Sequence, residues 1–300
     1  MKTFYKTSII IVSLFLLSAT APKKGSLKHA LKVLNGFCNF VPSGNSVIDG
    51  DTISVQSFYM SKSEITNINF MEFIYFAKKT MSPEKFKRAD VDTSMWGQYY
   101  PQTSKTYGKY YYTHPAYHKY PVVNVSREGA EMYCEWLSAI YDSISDQKLK
   151  IKFRIPSRAE WIRAARGNNH SAVYSWNTPI LTNSDGLVQA NFISIGAEKV
   201  TRNTTTNKLE LAKDLSTALL SFEGARADIL APVESYWPNN FGFYNMNGNA
   251  SEMISDGDFS VGGDWNSPGY DIRNESIKPF TGANPTVGFR IVATYIKPEK

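Results

Sequence analysis

The residues best suited to do chemistry sit late in the chain, in "SVGGDWNSPGYDIRNES", Ser260 to Ser276. Gly262 and Gly263 permit a tight turn, Trp265 anchors it, and a polar loop follows. The stretch holds no Cys and no His, so Ser267 and Ser276 are its only candidate nucleophiles. A hydroxyl needs an adjacent base, and no His and Asp pair stands near Ser267 in sequence. By residue type the stretch reads first as a turn.

A second constellation is "YNMNGNASEMISDGDFS". Gly248 frees the backbone to turn, so carbonyls of Asn247, Gly248 and Ala250 can converge with the Glu252 carboxylate. Such an all-oxygen set suits Ca²⁺. The same residues also read as an acidic turn at Asp256-Gly257-Asp258, with Glu252 as a surface charge. A third is "YTHPAYHKYPVV", where His114 and His118 stand four apart. Metal ligation at that spacing needs a helix, and Pro115 and Pro121 argue against one. These histidines read as part of a packed loop.

The elements that must position these groups are marked by local signals. "FCNFVPSGNSVIDGDTISVQSFYMSKSEIT" alternates and is broken by Ser-Gly and Asp-Gly, which predicts a β-hairpin region. Thr66 caps a helix with Phe70, Phe73, Ile74 and Ala77 on its apolar face. A second helix begins near Ser126 and carries Ala130, Tyr133, Cys134, Leu137 and Tyr141 at helical spacing. In "IPSRAEWIRAARG", Ser157 and Glu160 form a capping box, Trp161, Ala164 and Ala165 the apolar stripe, and Gly167 the stop. From Pro83 to Tyr120 the chain is rich in Tyr and Trp with weak periodicity, predicting a long, packed, irregular segment. Its aromatic rings, Trp96 to Tyr117, read as inward packing or as a protein interface.

Bulk properties bound the rest. Three hundred residues, 42% of them hydrophobic and 14% aromatic, are enough for a full core. Residues 1–21 read as a signal peptide: Lys2 and Lys6, an apolar run from Ile9 to Leu17, then the small-residue site Ala19-Thr20-Ala21. The run falls short of the roughly 20 apolar residues that span a bilayer. No Cys follows it, so no lipid anchor is expected at this site, and no membrane span is expected after it. Pro22 behind the cut leaves an uncleaved anchor as the other reading. Without residues 1–21 the chain keeps 31 basic and 27 acidic side chains, a net charge of +4. These charges are scattered, without the basic, aromatic-interleaved patches of nucleic-acid binding, so no nucleic-acid partner is expected. Cys38 and Cys134 have the option of one disulfide in an exported protein, while its helical spacing puts Cys134 on a buried face. The organisation expected is a signal peptide at 1–21, an N-terminal linker at 22–36 and one α+β domain over 37–297. A polar surface insertion falls at about 198–222.

"FYMSKSEITNINFMEFI", "YPVVNVSREGAEMYCEWLS", "FRIPSRAEWIRAARG", "PNNFGFYNMNGNASEMISD", "VGGDW" and "VGFRIV" together resemble the formylglycine-generating enzyme, or sulfatase-modifying factor, domain. The likeness runs from about Phe37 to Val292. It implies a single α+β domain of the C-type-lectin-like kind, low in regular secondary structure. "VQSFYMSKSEITN" and "YYYTHPAYHKYPVV" are further similar to gliding-motility and type IX secretion lipoproteins of the GldK type.

Active members of the enzyme family hold copper on two Cys thiolates. The resemblance puts those positions at Ser267 and Ile272, neither of them Cys. A serine hydroxyl is hard and isoleucine offers no ligand, so copper is not expected. The family's calcium carboxylate corresponds to Glu252, with donors at Asn247, Gly248 and Ala250. A second family calcium site begins at Asn191 and Phe192, with an acidic partner near Asp228. Calcium is thus the one cofactor expected, in a structural role. The resemblance implies an exported, non-catalytic scaffold or binding protein of the cell envelope with an envelope protein as partner. The alternative is an oxidoreductase-type enzyme of this family with altered chemistry, using Ser267, Asp264 or a metal whose ligands the motifs do not reveal. Carbohydrate binding follows only by analogy of fold.

Overall fold

The computed structural model describes residues 27–98, 104–145, 150–193, 200–207, 209–211 and 229–296. The proposed signal peptide and Asp228 lie outside the described residues. The first element is helix α1 (Leu27–Phe37), in the segment expected to be a linker. That expectation is corrected. Ala30 and Leu34, one turn apart, are buried in the main core, and the Tyr141 hydroxyl donates to the Ala30 carbonyl at 2.6 Å.

Strands β1 (Cys38–Val41), β2 (Gly44–Ile48), β3 (Asp51–Val55) and β4 (Phe58–Ser61) form the expected β region. β2 and β3 make a hairpin closed by Asp49-Gly50, both at positive φ (54° and 93°). This is the backbone twist that an Asp-Gly pair accommodates in a two-residue turn. Helix α2 (Asn67–Thr80) follows, with the Thr66 side chain accepting from the Asn69 N–H. The stretch expected to be irregular is partly helical: α3 (Pro83–Ala89) and α4 (Ser104–Tyr110), with short 3-10 turns. Trp96, Tyr111 and Tyr112 turn inward, while Tyr110 is exposed. Trp96 is fully buried, stacked on Tyr107 at 5.1 Å and edge-on to Tyr111.

Helix α5 (Arg127–Ile144) buries Ala130, Tyr133, Cys134 and Tyr141 as the spacing predicts. Strand β5 (Lys150–Arg154) leads to α6 (Arg158–Arg166), where both halves of the Ser157–Glu160 capping box are formed. The described part of the expected insertion is a small hairpin of β6 (Val200–Arg202) and β7 (Leu209–Leu211). The chain ends with β8 (Ser251–Met253), β9 (Phe259–Val261), β10 (Ile277–Pro279), β11 (Val287–Gly288) and β12 (Val292–Ile296).

Two four-stranded sheets organise the core, in the orders β1-β4-β12-β5 and β10-β9-β8-β11. The first is closed by the late strand β12, inserted between β4 and β5 and antiparallel to both. One face of this sheet meets α5, with Phe153 against Tyr141, and the other packs Met60 and Val292 with Trp161 and Ile162 of α6. Cys38 and Cys134 are free thiols, both in the main core, so the disulfide option is not taken. No helix among the described residues is long and apolar enough to cross a membrane.

Candidate functional site

The loop after β9 is shaped by glycines. Gly262 and Gly263 adopt φ of 81° and 64°, and a Cβ on Gly263 would lie 2.7 Å from the Asp271 carbonyl. The turn that follows buries Asp264, Trp265 and Ser267. The Asp264 N–H donates to Ser267 Oγ at 3.1 Å, and Asp264 Oδ1 accepts from the Asn266 N–H at 2.9 Å.

The neighbouring strand supplies a charge that sequence spacing did not reveal. Lys278 on β10 reaches into the loop, donating to Ser267 Oγ at 2.5 Å and to Asp264 Oδ2 at 3.0 Å. A buried carboxylate requires such a counter-charge. Ser267 is 0% exposed, and so is Ile272, whose side chain packs with Tyr174, Val188, Ala190 and Phe192. The pair does not fit copper. One position is a hard hydroxyl already facing an ammonium group, and the other is sealed in an apolar cluster.

The second constellation is drawn together by side-chain amides. Asn247 Nδ2 donates to the Ile272 carbonyl at 2.7 Å and to Asn274 Oδ1 at 3.0 Å, while its Oδ1 accepts from the Ser175 N–H at 2.7 Å. The Gly248 N–H donates to the Gly262 carbonyl at 2.8 Å. Ala250 is buried, and the backbone of Ser251–Met253 continues as β8. Glu252 is no surface charge. Its carboxylate accepts from Arg290 Nε at 2.5 Å, Arg290 Nη2 at 2.6 Å and Trp161 Nε1 at 2.6 Å. Both oxygens are engaged by a two-pronged guanidinium, the strong planar form of this pairing. Glu252 therefore does not fit as a calcium ligand: Arg290 already supplies the positive charge an ion would bring.

Asn191 is likewise engaged. Its carbonyl accepts from the Asn249 N–H at 2.8 Å, and its Nδ2 donates to the Ile229 carbonyl at 2.6 Å. Phe192 contributes its ring to the apolar cluster around Ile272. Among the described residues, no three His, Cys, Asp or Glu side chains come together to hold a metal ion. His114 Nδ1 accepts from the Ala116 N–H at 3.2 Å, closing a 3-10 turn at Pro115–Tyr117. His114 is exposed and His118 half-buried, and the pair sits in a 3-10 turn with no α-helix, as the two prolines predict.

Beneath the loops lies a buried acid that the sequence does not flag. Glu64 follows β4, is 2% exposed, and accepts from Asn249 Nδ2 at 2.8 Å. Burial pushes its carboxyl up to about 8; Arg290 nearby opposes this and the Glu252 charge adds to it. Two carboxyl groups share one guanidinium, and its short contacts are with Glu252.

The comparison that decides the family is with the sulfatase-modifying factor enzyme 1-like domain, whose family model matches residues 17–295. The chain belongs to this family. A formylglycine-generating enzyme of Bos taurus is 25% identical to this family member over 222 residues, 68% of this chain and 50% of that protein. The inactive C-alpha-formylglycine-generating enzyme 2 of Bos taurus is 25% identical over 167 residues, 55% of this chain and 38% of that one. The chain thus spans about half the length, or less, of these curated relatives. Among solved structures, CarF superposes with a TM-score of 0.53 at 17% identity, covering 87% of this chain and 98% of that one. PvdO from Pseudomonas aeruginosa gives 0.50 at 17%, covering 85% and 92%. This sulfatase-modifying factor domain therefore has the mixed helix-and-sheet, single-domain fold that the sequence led us to expect.

Proposed function

We propose that the chain is an exported, non-catalytic scaffold or binding component of the bacterial cell envelope, of the gliding and type IX secretion kind, acting through an envelope protein partner. The observation that carries the non-catalytic half is the state of the Gly-Gly-Asp-Trp loop. Ser267 lies under the Lys278 ammonium and Ile272 is packed in an apolar cluster, so neither copper-ligand position can serve. Function belongs to the site and not to the fold. Relatives named as inactive formylglycine-generating enzymes give this reading a precedent within the family. The envelope half is supported by the apolar N-terminal run and the likeness of "YYYTHPAYHKYPVV" to gliding-motility lipoproteins.

A hydroxyl, an amine and a carboxylate do meet at Ser267, Lys278 and Asp264, which favours the altered-chemistry enzyme as the second reading. A nucleophile must be reachable, however, and the Ser267 oxygen is buried while accepting from two donors. The test is a competition for Cu(I) with a chromophoric chelator, together with fractionation of tagged cells and cross-linking of the envelope. We expect Cu(I) to stay with the chelator and the chain to be cross-linked to an envelope protein. Stoichiometric Cu(I) capture would overturn the non-catalytic half, and recovery in the cytosolic fraction the envelope half.

A further inference from the structure

Beyond the loop, α6 ends at Gly167, and the chain turns through Asn169, whose Oδ1 accepts from the Ser171 N–H at 3.2 Å and hydroxyl at 3.0 Å. A cavity of about 620 Å³ opens there, between this turn, Val47 of β2 and Glu275. That volume is within the usual range for a small-molecule site. Its wall is mixed, with apolar surface beside the polar groups of Asn168, His170 and Ser171.

The lining group that sets it apart is Arg166. Its side chain is 6% exposed, donating through Nη1 to the Val47 carbonyl at 2.5 Å and through Nε to the Ala172 carbonyl at 3.3 Å. Its remaining partner is Glu275, which accepts from Nη2 with a side chain that is 53% exposed. A buried guanidinium is thus neutralised by a carboxylate hung at the mouth of a cavity. Those contacts use three of its five N–H groups, so donors remain for a second acceptor. An exposed carboxylate contributes little to such a pair, because water competes for it. A ligand carboxylate can replace Glu275 on Arg166 with no change in the charge buried there.

We propose that this cavity binds a small hydroxylated carboxylate ligand, its carboxylate on Arg166 in place of Glu275 and its hydroxyl groups on Asn168, His170 and Ser171. Arginine's planar fork matches a carboxylate in two parallel bonds. The amide, imidazole and hydroxyl groups of the wall supply the donors and acceptors that ligand hydroxyls need. The site is separate from Ser267 and Ile272 and holds whether or not the loop has chemistry of its own.

The test is calorimetric titration of the full chain with glucuronate, with glucose as the uncharged control and inorganic phosphate as the alternative anion. We expect glucuronate to bind and glucose not to. Glu275→Gln removes the competing charge without truncating the side chain, and should tighten glucuronate binding about fivefold. Its circular dichroism spectrum and melting curve report whether the fold is kept. His170→Ala, on the exposed rim, should weaken glucuronate binding without altering the melting curve. No glucuronate binding in either the parent or a folded Glu275→Gln protein would overturn the site. Phosphate binding with the Glu275→Gln gain but no glucuronate binding would overturn the carboxylate assignment.

Discussion

At Glu64, burial keeps the carboxyl group protonated at neutral pH against the opposing pull of Arg290, and the Glu252 charge adds to the effect. Its folded value, about 8, lies above the ordinary 4.5 of an unfolded chain, so folding favours the protonated form. The contribution is complete below about 4.5 and is lost as pH rises through about 8, at up to about 1.4 kcal/mol per pH unit. Glu72, raised to about 7 by burial, acts in the same sense. Urea denaturation from about pH 5 to about pH 8 should therefore show falling stability. Glu64→Gln should flatten most of that slope; an unchanged slope would contradict the assignment. Glu252 is instead gripped at both oxygens by the Arg290 guanidinium. Glu252→Gln should cost about 3–5 kcal/mol, since it strands a buried guanidinium. For the same reason, a chelator such as EDTA should leave the melting temperature unchanged. A drop on chelation, reversed by Ca²⁺, would show that an ion sits where the Arg290 pair now accounts for the charge. Lys278→Met leaves Asp264 uncompensated and should cost about 1–3 kcal/mol. Asp264→Asn combined with it should cost less than the sum of the two.

At the scale of elements, the short strands and loops near the site are held mainly by side-chain amides and tight backbone approaches. Asn247 ties the Ser175 backbone to Ile272, and Asn249 ties Asn191 to Glu64. Gly248 lies at φ 77°, where a Cβ would come within 2.4 Å of the Asn191 carbonyl. Gly248→Ala should thus cost about 1–3 kcal/mol through strain and displacement of that carbonyl. The helices follow simpler rules. Removing the α6 cap with Ser157→Ala should cost about 1 kcal/mol. Denaturant midpoints of these two variants, measured side by side, test whether loop packing outweighs capping here.

For the molecule as a whole, the two thiols report on global integrity. Cys38 and Cys134 lie in the same core, and burial raises both well above the usual thiol range. Neither should react with iodoacetamide in the native protein, since the thiolate is the reactive form. Both should become reactive together at the unfolding midpoint, as expected for one cooperative unit. Early labelling of Cys38 alone would show that α1 and β1 open separately from α5.

What the sequence determined by itself is local or periodic. The Ser157–Glu160 capping box, the Thr66 cap, the Asp49-Gly50 turn and the buried face of α5 each depend on residues within a few positions of one another. The order of these motifs was enough to reach the family, and the absence of Cys at Ser267 and Ile272 was legible at once. Periodicity in "LKHALKVLNGF" does not tell a docked helix from a linker, because its packing partner, Tyr141, lies far along the chain. The tertiary structure alone decided which charges meet. Glu252 finds Arg290 on a late segment, Lys278 arrives on β10 to meet Asp264, and Glu275 swings onto Arg166. A carboxylate reads the same in sequence whether it awaits a metal ion or already faces a guanidinium. The difference is the position of one opposite charge a few ångströms away, and only packing sets it.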